Sequence, residues 1–183
     1  MTALFYVAFQ ELSRFRVWRQ IAHPHQCGWH GDSFHECTCT PPLIQRYFAR
    51  ISGPLMDRID MHIQVPAVKY KELAQDEKAE ESTVIRERIL AARRVQCKRL
   101  EQFNIYCNAQ MTPRTLRRFC KLDSESEKQM ENAITKLGLS ARAYDRILRV
   151  SRTMADLEKQ EKIDARHVAE AIQYRTLDRT YWQ

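Results

Sequence analysis

Two pairs of metal-ligand residues lie close together in the first quarter of the chain. His25 and Cys27 are separated by one residue, and Cys37 and Cys39 form a second pair with the same spacing. Thiolate and imidazole groups are the ligands of tetrahedral zinc, and a site closed by four protein ligands is structural rather than catalytic. This segment therefore predicts a structural zinc site.

Two alternatives remain open for the same segment. His23, His30 or His35 could supply the imidazole in place of His25, and the whole stretch could be a loop with free thiols. Ligand pairs in zinc sites are more often separated by two residues than by one. Cysteines spaced this closely make a poor disulfide framework, which indicates a reducing compartment. We therefore expect a cytoplasmic protein.

Two arginines lie in settings that suit phosphate chemistry. Arg58 belongs to the run GPLMDRID, and Arg142 belongs to LSARAYDR near the start of a predicted helix. A positioned arginine can neutralise charge on a transferring phosphoryl group, although most arginines are solvated or ion-paired surface residues. The sequence has no Gly-rich loop ending in Gly-Lys-Ser or Gly-Lys-Thr, which is the phosphate cradle of P-loop enzymes. We therefore expect no nucleotide hydrolysis by this chain alone.

Composition narrows the class of protein and of partner. The 183 residues carry a net charge of +7 and only 4 glycines, which suits a mostly helical protein. A basic balance fits a nucleic acid or a nucleotide phosphate as partner, and it fits a well-solvated surface equally well. No apolar run is long enough to cross a bilayer, and the N-terminal segment lacks the pattern of a signal peptide. We expect no membrane partner.

The first part of the chain, residues 1–66, is predicted to be the end of a domain that contains a sheet. Residues 1–22 suit either a strand or a short helix, and residues 43–50 suit a short helix. Residues 60–66 alternate between apolar and polar side chains, which predicts a strand ended by a proline. A single strand is not a stable sheet, so most of such a domain would be missing.

The second part, residues 82–179, follows a polar linker at 67–81 and is predicted to be a bundle of about four or five helices. Its helix starts carry residues whose side chains accept hydrogen bonds from backbone N–H groups. The predicted N-caps are Ser82, Thr112, Asp123, Ser140 and Asp164, and Gly138 is predicted to end a helix. Apolar residues on each side of two caps, Met111 with Leu116 and Ile163 with Val168, have hydrophobic-staple spacing.

Long stretches of the sequence resemble one family. CGWHGDSFHECTCTPPLIQRYFARISGPLMDRIDMHIQVPAV is similar to the second half of the ATPase core of magnesium-chelatase-like AAA+ proteins, in particular the YifB/ComM group. NAQMTP, LGLSARAYDRILRVSRTMADLE and HVAEAIQYRTLDR resemble the C-terminal helical lid of that group. The resemblance covers about residues 23–179. It implies a mainly α fold, with a helical lid bundle attached to a remnant of the α/β core that carries a Cys/His knuckle.

The resemblance also implies roles for four residues. Arg58 takes the place of the arginine finger that faces a neighbouring subunit, and Arg50 is a weaker candidate. Arg142 takes the place of sensor 2, which faces the γ-phosphate of its own subunit. His23 stands where the family has the sensor-1 asparagine, and His25 stands where it has a cysteine. A histidine at position 25 preserves zinc ligation, whereas the histidine at position 23 departs from the residue that positions water in the family.

Complete members of the group look like hexameric motors that use ATP and Mg²⁺, and the ComM group is associated with branch migration of DNA during natural transformation. Walker A and Walker B segments are absent here, and residues 1–22 do not match the family. We therefore expect a truncated or frame-disrupted C-terminal fragment of such an ATPase. The alternatives are a small basic zinc-binding module for nucleic acid or protein, and a non-functional remnant.

Overall fold

The computed structural model describes residues 4–11, 14–21, 27, 29, 35–49, 58–63 and 80–180. The chain divides into two compact units. The first consists of Met1–Lys78 together with Tyr174–Gln183, and the second consists of Ala79–Gln173. The last helix therefore begins in the second unit and ends in the first.

The described elements are mainly helical. In chain order they are β1 (Leu4–Glu11), β2 (Arg14–Ile21), α1 (Pro41–Phe48), α2 (Ser82–Leu100), α3 (Pro113–Phe119), α4 (Ser124–Leu137), α5 (Ala141–Leu157) and α6 (Ala165–Thr180). Two short 3-10 helices, Glu101–Phe103 and Asn108–Gln110, lie between α2 and α3. In the described parts of the chain, no helix combines the length and the apolar character that crossing a membrane requires.

In the first unit, the segment that the sequence left open between strand and helix forms an antiparallel hairpin. Strands β1 and β2 pair from Leu4 opposite Ile21 to Glu11 opposite Arg14. The helix predicted at 43–50 is present as α1 and begins earlier, at Pro41. Proline suits the first turn of a helix because its missing N–H would have had no partner there. The backbone N–H groups of Leu43 and Ile44 donate to the carbonyl of Thr40 at 2.9 and 3.2 Å.

The strand predicted at 60–66 is wrong where the structure describes it. Met61–Ile63 form no strand, and residues 64–66 lie outside the described residues. The backbone N–H of His62 instead donates to the carbonyl of Tyr174, near the end of α6, at 2.8 Å. Ile59 and His62 are the buried residues of this segment, with 5% and 2% exposure. Their spacing of three residues differs from the period of two on which a half-buried strand depends.

The second unit packs its helices around α5. That helix buries seven residues, and Ile147 and Ala155 among them have no exposed surface. Leu116 from α3, Met130 from α4 and Val168 from α6 belong to the same apolar core. Burial of such side chains removes apolar surface from water, which supplies most of the stability of amphipathic helices.

The predicted caps of α3, α4, α5 and α6 are confirmed. Side chains of Thr112, Asp123 and Ser140 accept from the backbone N–H three residues later, and Asp164 Oδ1 accepts from the N–H groups of Arg166 and His167 at 3.0 and 3.2 Å. Gly138 ends α4 with a φ of 57°, in the left-handed region that glycine favours.

The predicted cap of α2 is wrong by one residue. Ser82 is the first helical residue, and Glu81 occupies the N-cap position without a side-chain cap hydrogen bond. The Glu81 carboxylate instead accepts from Thr83 Oγ1 at 3.2 Å. The Thr83 hydroxyl therefore bonds to a side chain and does not cap a backbone N–H group.

The cap of α4 predicts a specific dependence of stability on pH. The hydrogen bond that the Ser126 backbone donates to Asp123 holds the pKa of Asp123 below its usual range. A lowered folded-state pKa stabilises the fold above the unfolded value, about 3.9, and that stabilisation is lost as the pH falls through the folded pKa.

We therefore expect Asp123→Asn to match the original protein near neutral pH, because asparagine caps a helix as well as aspartate does. Urea unfolding at a series of acidic pH values should show the original protein losing stability that the asparagine variant keeps. Asp123→Ala should be the least stable of the three at neutral pH. Parallel pH profiles for the aspartate and asparagine proteins would contradict this assignment.

Candidate functional site

Three sulfur atoms converge in the first unit. The Sγ atoms of Cys27, Cys37 and Cys39 all lie within 4.8 Å of one another, and those of Cys27 and Cys37 are 3.6 Å apart. Zinc–sulfur bonds of about 2.3 Å at tetrahedral angles place two sulfurs about 3.8 Å apart. The Cys27–Cys37 separation therefore fits one tetrahedral ion, and Cys39 lies close enough to belong to the same site.

The fourth predicted ligand, His25, lies outside the described residues. His35 is described, and it is not one of the clustered ligands. Its ring lies against Trp29 instead, with centroids 3.9 Å apart and planes inclined by 30°. The backbone N–H of Trp29 lies 3.4 Å from the Sγ of Cys27, at a distance for donation to sulfur.

The chemistry of the cluster also suits a cation. Burial, followed by hydrogen bonding and charge from Cys27 and then Cys37, raises the pKa of Cys39 to about 11. Ionisation of Cys39 is disfavoured because its thiolate would repel negative charge on its neighbours. A bound divalent cation reverses this effect and binds coordinating thiols as thiolates.

The three remaining cysteines have other surroundings. Cys107 and Cys120 are buried in the second unit, and burial raises the pKa of Cys120 to about 12. Cys97 is half-buried, and its Sγ donates to the carbonyl of Tyr106 at 3.3 Å. A cysteine buried in an apolar core acts as a small hydrophobic residue. Among the residues that the structure describes, the clustered thiols are the ones that form a candidate metal site.

Arg58 is exposed, and the backbone that follows it forms two hydrogen bonds with residues of α6. The carbonyl of the next residue, Ile59, accepts a hydrogen bond from Arg175 Nη1, and Arg175 is 1% exposed. His62 is held in turn by the carbonyl of Tyr174 at 2.8 Å. The end of α6 thereby positions the segment that presents Arg58 to solvent.

Arg142 is the second residue of α5 and is exposed. The start of its helix is defined by Ser140, whose Oγ accepts from the N–H of Ala143 at 3.1 Å. Arg58 and Arg142 belong to different units, so each is described by itself. The other two predicted nucleotide-site residues, Arg50 and His23, lie outside the described residues.

A buried polar network centred on Asp156 escaped the sequence analysis. The Asp156 carboxylate accepts from Arg99 Nη1 at 3.2 Å, Arg152 Nε at 3.1 Å and Asn108 Nδ2 at 2.8 Å. Arg152 also donates to the carbonyls of Gln160 and Glu161, both at 2.6 Å. The one sequence signal for this network was the spacing of four residues between Arg152 and Asp156. Charged pairs with that spacing usually lie on the exposed surface of a helix, so the spacing did not predict a buried pair. The network joins α2, α5 and the loop that leads to α6.

Two family models match this sequence. Residues 79–175 match the model described as magnesium chelatase, subunit ChlI C-terminal, and residues 14–73 match magnesium chelatase, subunit ChlI. The prediction that residues 1–22 do not match the family is therefore wrong for residues 14–22. Competence protein ComM of Haemophilus influenzae is 41% identical over 141 residues, which cover 76% of this chain and 27% of that protein. YifB of Escherichia coli is 37% identical over 142 residues, with 77% and 27% covered. The chain therefore spans about a quarter of the length of these relatives.

Proposed function

The chain belongs to the magnesium chelatase subunit ChlI family, and from that membership we propose that it forms one wall of the ATP site and the lid of a ComM-like AAA+ motor that acts on DNA. The assembly we propose is a homo-hexamer that uses ATP and Mg²⁺. Its DNA reaction is branch migration during natural transformation, in keeping with the name of competence protein ComM.

In this proposal Arg58 is the arginine finger and acts on the nucleotide of the neighbouring subunit. The observation that carries the assignment is the geometry of its segment. Arg58 is exposed, while the adjacent Ile59 is 5% exposed and its carbonyl is held by the buried Arg175. An arginine finger has to project from backbone that does not shift, because its contribution depends on position.

Arg142 is proposed to face the γ-phosphate within its own subunit. It lies in the first turn of α5, and the packing of that helix in the core fixes the direction in which the turn points. Arg50 is kept as a second finger candidate, and His23 as the residue at the sensor-1 position. Mg²⁺-ATP would bring the phosphoryl group, and these side chains would neutralise its charge and orient it.

The clustered cysteines are proposed to hold a structural zinc ion, with His25 as the fourth ligand. A closed four-ligand site stabilises a loop rather than catalysing a reaction. Such a site would order the segment between the hairpin and α1. A cluster of metal-binding thiols requires reduced cysteines, and a reducing compartment keeps them so. We therefore propose the cytoplasm as the location.

The nucleotide proposal is tested by complementation. The chain alone should not turn over ATP, because its sequence has no Gly-Lys-Ser or Gly-Lys-Thr loop. Mixed with a separately expressed P-loop segment of ComM, it should give steady ATP hydrolysis. Arg58→Ala should then reduce kcat by about 10³–10⁵-fold, the range measured for arginine fingers.

Arg46→Ala, which removes an exposed arginine of α1 in the same unit, is the matched control and should leave kcat within about twofold. Turnover by the chain alone, or equal losses from Arg58→Ala and Arg46→Ala, would contradict the proposal. The Arg142→Ala variant should raise KM or lower kcat without affecting association of the two parts.

A second candidate function, a basic zinc-binding module for nucleic acid or protein, is favoured by two observations. They are the three convergent thiols and the net charge of +7. Under this alternative the P-loop segment should not bind the chain, and neither arginine substitution should have an effect on ATP turnover. Complementation separates the two functions in a single experiment.

A further inference from the structure

One face of α3 presents three arginines to solvent. Arg114, Arg117 and Arg118 are all exposed, whereas Thr115 and Leu116 on the other side of the helix are buried. Residues spaced by three and four positions lie on the same side of a helix, with Cβ atoms about 5–6 Å apart. The three guanidinium groups therefore form one patch, which we call the arginine face.

No carboxylate balances the arginine face from within its own segment. Residues 102–122 contain no aspartate or glutamate, while they include the three arginines and Lys121. None of the ion pairs among the described residues involves Arg114, Arg117 or Arg118. Two exposed arginines elsewhere in the same unit do have partners: Arg88 pairs with Glu80 at 3.1 Å, and Arg166 with Asp164 at 2.9 Å.

Aromatic rings hold one member of the face without using its hydrogen-bond donors. The guanidinium carbon of Arg118 lies 5.5 Å from the ring centre of Phe103 and 5.3 Å from that of Phe119. The two rings meet edge to face at 5.9 Å, which fixes the platform beneath the guanidinium. A cation–π contact uses the charge of the group and leaves its N–H donors for another acceptor.

Like charges at this spacing disfavour a helix, so the arginine face opposes the stability of α3 unless an anion neutralises it. Phosphate is the anion whose geometry the guanidinium fork matches, through two parallel N–H···O bonds. A row of such forks suits a chain of phosphates better than a single ion. Tyr106, in the same acid-free segment, is 61% exposed, and exposed aromatic rings are surfaces on which bases stack.

We propose that the arginine face binds the phosphate backbone of a nucleic acid. The site lies on the lid-type helical unit and uses none of the residues proposed for nucleotide hydrolysis. It rests on the proposed function only for the choice of DNA as the nucleic acid. Contacts to phosphate bind without reading sequence, so the face would hold DNA in place during motor action and would not select a site.

The test is fluorescence anisotropy of the full chain with labelled single-stranded and duplex DNA, at salt concentrations between about 50 and 200 mM. Replacing Arg114, Arg117 and Arg118 together by glutamine should weaken binding. It should also reduce the slope of log K against log salt by about one for each arginine removed. Tyr106→Ala should weaken binding to the single strand more than to the duplex, because only unpaired bases can stack on it.

A matched triple variant removes the same charge elsewhere. It combines three substitutions at exposed positions of the same unit, Arg88→Gln, Lys136→Gln and Arg166→Gln. This variant should keep most of the DNA affinity and most of the slope of log K against log salt. Equal losses from the two triple variants would show binding by net charge alone and would overturn the proposal. So would a polyglutamate that competes as well as DNA at equal charge, since that result would assign the face to an acidic polypeptide.

A third variant covers the case in which the glutamine protein does not fold. Replacing the three arginines by lysine keeps the charge and loses the fork, so binding should weaken while the salt slope stays. Unchanged affinity in this variant would contradict phosphate recognition by guanidinium groups. The assay contains no ATP and no P-loop segment, so its outcome is independent of whether Arg58 and Arg142 act on a nucleotide.

Discussion

Replacement of Asp156 by alanine should lower the free energy of unfolding of the helical unit by about 3–5 kcal/mol. Asp156 is 2% exposed and Arg152 is 2% exposed, so their charges lie away from bulk water. Burial lowers the pKa of Arg152, and the charge of Asp156 acts in the opposite direction to keep the guanidinium protonated. Without the carboxylate, a buried cation would lose its counter-charge, which is the costliest way to break an ion pair.

Three elements would lose their connection at once. The Asp156 side chain holds Arg99 of α2, Arg152 of α5 and Asn108 of the second 3-10 helix. Asn108 would keep its bond to Thr153 Oγ1 at 3.0 Å, and Arg152 would keep its bonds to the carbonyls of Gln160 and Glu161. The substitution removes the negative charge of Asp156 and the carboxylate that accepts from all three side chains. We therefore expect the unit to keep its fold with lower stability, without a local rearrangement.

Urea unfolding followed by far-ultraviolet circular dichroism measures this loss, and an unchanged m-value would show that the folded and unfolded states are otherwise the same. Glu80→Ala is the matched control, because Glu80 also accepts two hydrogen bonds from one arginine. That pair is exposed, with side-chain exposures of 44% for Glu80 and 53% for Arg88. Its loss should cost no more than about 1 kcal/mol. Similar losses from the two substitutions would mean that water reaches Asp156.

The helical unit could be predicted from sequence to the level of its caps, with the exception of the α2 cap. Thr112, Asp123, Ser140 and Asp164 act where the sequence placed them, because a cap depends on a side chain and a backbone N–H only three residues away. The Asp156 network could not be predicted in this way. The hydrogen bonds that join Arg99 and Asn108 to α5 link residues 45 to 57 positions apart. In addition, polar residues on a helix normally predict its solvent face.

The first unit shows a different limit. Residues 12 and 13, between the two strands, are Leu and Ser, and the glycine, asparagine or proline that usually signals a tight hairpin is absent. The alternation at 60–66 predicted a strand, but His62 finds its backbone partner at a helix carbonyl, on residue 174. Residues 62 and 174 lie far apart in the sequence, so their hydrogen bond leaves no local sequence pattern. The clustering of Cys27, Cys37 and Cys39 could be anticipated because ligand chemistry depends on residue types more than on the fold.

Replacement of Cys37 by serine should lower the zinc content of the purified protein from about one ion per chain to near zero. Cys37 belongs to the cluster, with its sulfur 3.6 Å from that of Cys27 and within 4.8 Å of that of Cys39. A serine hydroxyl does not replace a thiolate, because it is not deprotonated near neutral pH and is a weaker ligand for zinc. The remaining ligands would then be two thiols and an imidazole, which cannot close a four-coordinate site.

Metal release measured with a chelating dye, in parallel with elemental analysis, gives the content directly. Cys97→Ser is the matched control, since Cys97 is half-buried like the clustered cysteines but bonds to the carbonyl of Tyr106. It should keep its full metal content. His25→Ala should lose zinc if His25 is the fourth ligand, and His35→Ala should keep it because the His35 ring lies against Trp29.

Zinc binding should also govern the order of the segment, because the free energy of metal binding is coupled to folding of the loop that supplies the ligands. Amide hydrogen exchange near residues 27–39 should therefore accelerate in Cys37→Ser and in chelator-treated protein, while α5 remains protected by its own core. Full metal content in Cys37→Ser would exclude these ligands. Loss of metal with no change in exchange would show that the ion binds a loop that packing alone already orders.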